Sequence, residues 1–216
     1  MQLRNSNYMA PLKLFIFDCD GVMFDSKDAN RIYYNQLLGE FGHPPMNEQE
    51  EDYVHSHNVL DSVNYIFRKY PREIAEVNEF RKSVDYTPFL KYMAIEPDLK
   101  KFLDILKPKY HTAISTNRST TMSSVMKMHD LAPYFDLVVT SLDVEHPKPH
   151  AEGLVKILDF FQLSADEAIY IGDSMVDREH TAAVEMRLIS FKNPELPAEY
   201  HVNCFLDIQH LPFFQE

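Results

Sequence analysis

The chain alternates short, continuous apolar runs with stretches in which apolar residues recur every three or four positions. The runs at residues 12–17, 110–115, 137–140, 168–171, 188–191 and 202–206 have the length and composition of strands buried on both faces. Between them, Leu99, Phe102, Leu103 and Leu106 fall on one helix face, and so do Leu154, Ile157, Leu158 and Phe161. This alternation predicts an α/β fold, a Rossmann-like parallel sheet covered by helices on both faces.

Residues 25–91 break the alternation. They contain no convincing strand, but Leu60, Val63 and Phe67, and then Ile74, Val77, Phe80 and Val84, keep helical spacing. The expected organisation is a core domain made of residues 1–24 and 92–216, with residues 25–91 as a small inserted α-helical cap domain. A cap inserted there is expected over the carboxyl end of the first strand. Within it, HPPMNEQEED reads as a solvated loop, because prolines precede an acidic run.

With 216 residues, 45% of them hydrophobic, the chain can bury a full core. Its formal net charge of −12 disfavours a nucleic-acid partner, which rewards a basic face, and favours small-molecule or protein partners. Cys19 and Cys204 fit no metal or redox spacing, so free thiols and a cytoplasmic location are expected. The apolar run near the N-terminus is too short for a signal peptide or a membrane span, so no membrane partner is expected. A monomer or a homodimer fits equally well.

Ligands of an open parallel sheet bind beyond the carboxyl ends of its strands, so the residues that end each strand matter most. The first run ends in DCDG, where Asp18 and Asp20 point the same way if the chain stays extended through Cys19. Aspartate before glycine is also ordinary turn material. The second ends in Ser115, Thr116 and Asn117, before a helix expected to start at residues 119–122; these could hold an oxyanion or simply cap the helix. After the third comes HPKPHAE, whose prolines stiffen the backbone around Lys148. The fourth ends in GDSMVD, which places Asp173 at the mouth of a helix expected to begin near Ser174, and Asp177 in its first turns.

Several acids in one crevice repel one another, and burying unpaired charge is unfavourable. A divalent cation resolves the conflict. All-oxygen ligands without a cysteine or histidine cluster suit Mg²⁺, which keeps waters and a substrate phosphate in its shell. A phosphate dianion then calls for further positive charge, which Lys148 supplies.

In this order, DCDGV, STN, KPHAE and GDSMVD resemble the motifs of the haloacid dehalogenase-like superfamily, in its phosphatase branch with a helical cap. The resemblance implies a phosphoglycolate phosphatase-like enzyme that hydrolyses a small phosphorylated metabolite. It makes Asp18 the nucleophile that forms an aspartyl-phosphate, and Asp20 the general acid and base. It makes Thr116 and Asn117 phosphate holders, with Ser115 in the hydroxyl role if the register shifts by one. Lys148 would pair with Asp18 and the phosphate. Asp18, Asp173 and the backbone carbonyl of Asp20 would bind Mg²⁺, with Asp177 behind them. Retention of Asp20 favours phosphate-ester hydrolysis over cleavage of a carbon–halogen bond.

A phosphomutase shares this chemistry, but Asn30 stands where beta-phosphoglucomutase-like enzymes carry a histidine, and VHSHNVLDS lacks their cap arginine. A receiver-type signalling domain has a different motif order, and a non-catalytic binding or regulatory relative would have little reason to keep Asp18, Asp20, Lys148 and Asp173 together. Substrate contacts in the cap are open: His55, His57, Asn58, Arg68, Arg72 and Arg81 are candidates, each equally at home on an exposed helix face.

Overall fold

The computed structural model of the chain describes residues 10–57 and 59–214. These form two compact units, one of the described residues up to Met23 together with Glu96 onward, the other Phe24–Ile95.

The first strand, β1 (Leu14–Phe17), lies near the middle of the first unit's sheet. A short β2 (Phe24–Asp25) and β3 (Ala94–Ile95) open and close the second unit as an antiparallel pair. The remaining strands are β4 (His111–Ser115), β5 (Leu137–Val139), β6 (Ala168–Gly172), β7 (Arg187–Phe191) and β8 (Tyr200–Val202). With β1 they make a six-stranded sheet in the order β5-β4-β1-β6-β7-β8, with every neighbouring pair parallel. Counted along this unit alone, that is the doubly wound order 3-2-1-4-5-6, whose chain reversal falls between β1 and β6.

Alternation along β1 shows why a wholly apolar run was needed. Leu14 and Ile16 join a buried cluster with Leu154, Ile157 and Leu158. Phe15 and Phe17 point to the opposite face, where the ring of Phe102 lies 5.9 and 6.3 Å from theirs. In chain order the helices of the first unit, numbered after the four of the second, are α5 (Leu99–Leu106), α6 (Met122–Met128), α7 (Glu152–Phe161) and α8 (Met175–Ala182). Phe102 of α5 and Leu154 of α7 thus cover opposite faces, as the apolar stripes predicted.

The expected strand at 202–206 is corrected. The strand is Tyr200–Val202, and a 3-10 helix at Phe205–His210 follows. Phe205 and Ile208, three residues apart, are its buried positions, a helical spacing within an apolar stretch.

The second unit holds α1 (Lys27–Glu40), α2 (Glu48–Ser56), α3 (Val59–Ile66) and α4 (Ile74–Ser83). Ala29, Tyr33 and Leu37, with Tyr34 and Leu38, form the buried stripe of α1. The loop expected across HPPMNEQEED is also corrected, because Glu48 onward is helical. Asn47 caps α2 by accepting from Glu50 N–H, while the Glu50 side chain accepts from Asn47 N–H. That reciprocal cap turns the acidic run into a helix N-terminus, where acids are favoured.

Among the described residues no helix is long and apolar enough to cross a membrane. Truncating Phe17 should show how far the site rests on the sheet: Phe17→Ala is expected to lower stability by about 3–5 kcal/mol in denaturant unfolding, because its ring is fully buried.

Candidate active site

The extended conformation of β1 ends at Phe17, and Asp18 N–H donates to Ile171 O on the neighbouring strand at 2.9 Å. Asp18 continues the side of Leu14 and Ile16, and is buried. Cys19 lies in a bend, so strand alternation does not carry Asp20 to the same side as Asp18. Gly21 then turns the chain with a φ of 82°. A Cβ there would stand 2.1 Å from Asp173 Oδ2, so the glycine makes room for a carboxylate from the end of β6.

Lys148 joins the strand ends. Its ammonium lies 2.8 Å from Asp18 Oδ1 and 2.7 Å from Asp177 Oδ1, and it donates to the Tyr170 hydroxyl at 3.0 Å. The Tyr170 oxygen lies 2.8 Å from the Ser115 carbonyl, which ties β6 to β4 beneath the lysine. Burial works against a charged lysine, but Asp177 and Asp18 outweigh it and hold the pKa of Lys148 well above the usual value.

Asp177 accepts from Ser174 Oγ at 2.7 Å and from the N–H groups of Asp173 and Ser174 at 3.2 Å each. Burial would raise its pKa, yet Lys148 and Ser174 prevail and keep it lowered. Asp18 goes the other way. Burial first, and the charge of Asp177 as well, push it up to about 7 against the pull of Lys148. Burial, Asp18 and Asp177 push Asp173 up to about 8.

These shifts have one physical source. Oxygens of Asp18, Asp173 and Asp177 lie within 4.8 Å of one another. Three ionised carboxylates beside one ammonium leave two negative charges in excess in a buried place. An all-oxygen donor set with that excess fits a hard divalent cation such as Mg²⁺.

The other predicted residues separate into two groups. Thr116 is buried and its Oγ1 accepts from Arg118 N–H at 3.1 Å, while Asn117 Nδ2 donates to the Lys148 carbonyl at 3.0 Å. Ser115 Oγ is instead 3.0 Å from Nε2 of the buried His180. His180 Nδ1 donates to the His150 carbonyl at 2.7 Å, and burial holds its pKa down to about 4. The hydroxyl of Ser115 therefore serves a core link between β4 and the segment carrying Lys148.

Arg118 was not singled out from the sequence. Its guanidinium grips both oxygens of Asp20, at 3.0 Å from Nε and 2.5 Å from Nη2, and Nη1 donates to Thr121 Oγ1 at 2.9 Å. The Arg118 side chain is only 7% exposed while that of Asp20 is 36% exposed, and the two bonds make the pair bidentate. The sequence offers a basic residue directly after STN but not its pairing with Asp20, which only the fold makes.

In the second unit, Arg68 pairs with Glu50 at 2.8 Å and lies over the Tyr65 ring, and Arg81 Nε donates to Asn78 Oδ1 at 2.8 Å. His57 stacks on Tyr53 with centroids 3.7 Å apart, and Asn30 accepts from the Tyr86 hydroxyl. Arg72 is exposed and His55 half-buried, while Asn58 lies outside the described residues.

Comparison with known proteins bears on the family and the fold. The haloacid dehalogenase-like hydrolase family matches residues 15–191. A HAD-superfamily hydrolase of subfamily IA, variant 1, from Geobacter sulfurreducens is 34% identical with a TM-score of 0.79, the match covering 92% of this chain and 95% of that one. A HAD phosphatase from Thermococcus onnurineus shares the fold at 19% identity and a TM-score of 0.69, over 92% and 97% of the two chains. Pyrophosphatase PpaX of Bacillus anthracis is 37% identical over 75 residues, 34% of this chain; the match spans only 35% of that relative's length. The chain belongs to the haloacid dehalogenase-like hydrolases.

Proposed function

We propose that the protein is a Mg²⁺-dependent phosphatase that hydrolyses a small phosphorylated metabolite through a phosphoryl group held on Asp18. One observation carries this reading: Lys148 is bonded at once to Asp18 and Asp177, with Asp173 in the same buried cluster. An ammonium in that position fixes the orientation of a carboxylate nucleophile and leaves its second oxygen for attack.

Asp18, Asp173 and the Asp20 carbonyl would hold the cation, with Asp177 bracing Lys148 behind them. When bound, the cation draws off negative charge, so that an anionic nucleophile and a phosphate can approach each other. Asp18 attacks phosphorus, and the bond from phosphorus to the leaving oxygen breaks as Asp20, released from Arg118 and in its protonated form, gives that proton to the leaving oxygen. In the second half Asp20 takes a proton from water, which attacks phosphorus, breaks the bond to Asp18 and releases inorganic phosphate. Thr116 and Asn117 are the phosphate holders in this reading. Ser115 is set aside, because its hydroxyl is engaged by His180.

Arg118 orients Asp20. While both oxygens accept from the guanidinium, the carboxylate is fixed in place, and its turn towards a leaving group requires that fork to loosen. The substrate class stays broad. Phosphoglycolate is the substrate suggested by the resemblance, while the PpaX relatives bring inorganic pyrophosphate into the same test. The second unit is read as the cap that closes off bulk water. A cytoplasmic location and a monomer or homodimer complete the proposal.

Phosphate release from a panel of sugar, nucleotide and small-acid phosphates and pyrophosphate tests the reading, run with Mg²⁺ and with EDTA. Turnover is expected with Mg²⁺ and its loss with EDTA; a metal-independent rate across the panel contradicts the proposal. Asp18→Asn should abolish turnover and Asp20→Asn should lower kcat by roughly 10²–10⁴-fold, less for a phenolic leaving group that needs no proton. Full activity in either variant sinks its assigned role.

Two further variants probe the packing. Gly21→Ala should lose both fold stability and activity, since its Cβ collides with the Asp173 carboxylate; a wild-type rate would show that the turn can yield. Arg118→Met should lower kcat about 100-fold with KM little changed, and Arg118→Lys should recover only part of the loss. Equal rises in KM for both would assign Arg118 to substrate binding instead.

A further inference from the structure

Lys148 sits inside a segment with a second set of ligand-type side chains. His146, His150 and Glu152 each offer one ligand atom, and these atoms lie within 4.8 Å of one another. Both histidines are exposed and Glu152 is half-buried, so a cation can reach them from solvent. The imidazole rings stand 4.7 Å apart, tilted by 38°. We propose that His146, His150 and Glu152 form a second cation site, selective for a borderline divalent ion of the Zn²⁺ class rather than Mg²⁺.

The donor chemistry supports that selectivity. Two imidazoles and one carboxylate suit Zn²⁺, Ni²⁺ or Cu²⁺, whereas Mg²⁺ takes oxygen ligands and gives up water reluctantly. Two histidines and one carboxylate also leave a fourth position for water. Bond lengths of 2.0–2.1 Å around a tetrahedral ion put ligand atoms roughly 3.3 Å apart, so the side chains need only a small inward rotation.

The backbone has already gathered the three groups. Glu145 and His146 N–H donate to the two oxygens of Glu152 at 2.8 and 3.0 Å, and His146 Nδ1 lies 3.1 Å from Oε2. Those N–H groups hold the Glu152 carboxyl below the usual range, so it stays an anion. His150 Nδ1 accepts from Glu152 N–H at 3.2 Å, a long contact that a cation can replace. The segment's course is fixed from the other side by the bonds from Asn117 to the Lys148 carbonyl and from His180 to the His150 carbonyl. The ligands thus start from a restrained backbone, which lowers the entropy lost on binding.

This site is independent of the catalytic reading, since it shares no residue with the aspartate cluster. Zn²⁺ titrated calorimetrically into the Mg²⁺-saturated protein tests it, with Co²⁺ absorption reporting imidazole ligation. One equivalent is expected to bind to the wild type. His146→Ala, His150→Ala and His150→Gln should each weaken binding by at least about tenfold, with the fold retained because both rings are exposed. Asp173→Asn should leave the binding intact, as should His111→Ala at the exposed histidine beside Asp136. Absence of Zn²⁺ binding in the wild type overturns the proposal. So does binding that survives the His146 and His150 changes, or that disappears with Asp173→Asn.

Discussion

The bond from Lys148 to both Asp18 and Asp177 is the constraint on which the rest of the first unit depends. A buried ammonium is tolerated only where anions surround it, and buried carboxylates only where cations or donors do. The fold brings these groups together from separate strand ends. Asp18 leaves β1, Asp177 rises from α8 behind β6, and Lys148 arrives on the segment between β5 and α7. Tyr170 and His180 then brace the arrangement, one hydroxyl against the Ser115 carbonyl and one imidazole against the His150 carbonyl.

Charge does not balance within the protein alone. Arg118 answers Asp20, and one ammonium, Lys148, is shared by Asp177 and Asp18; this is too little for the cluster and leaves Asp18 and Asp173 with raised pKa values. The same imbalance that strains the buried site is what the proposed cation would relieve. Stability and the proposed chemistry therefore rest on one group of residues. Gly21 and Gly172 belong to it as well, since a Cβ on either would strike the carboxylate side chain of Asp173 or Asp177.

The sheet was readable because its strands are buried on both faces and leave unbroken apolar runs, as β1 and β6 show. The motifs at the strand ends, DCDG, STN, the lysine of HPKPHAE and GDSMVD, stand out because polar residues break off each apolar run, and the fold gathers Asp18, Lys148, Asp173 and Asp177 from them. The failures have physical reasons too. The acidic run after Asn47 looked solvated, but its capping box makes it a helix start. The apolar stretch at 202–206 looked extended until the spacing of Phe205 and Ile208 is counted. Arg118 was hidden because its partner, Asp20, is 98 positions away, and no local pattern records a pairing made only by the fold. Ser115 and Thr116 look alike in sequence, and only the burial of His180 separates their hydroxyls.

Thermal unfolding with and without Mg²⁺, at pH 5 and pH 8, tests the central claim most directly. Asp18 and Asp173 bind protons more tightly folded than unfolded, so their ionisation lowers stability as pH rises from the ordinary carboxylate range towards about 8. A cation seated among them should remove that loss. The account predicts that Mg²⁺ raises Tm more at pH 8 than at pH 5, and that Asp173→Asn abolishes most of the rise. An equal response in wild type and Asp173→Asn, or no Mg²⁺ response at pH 8, would contradict it.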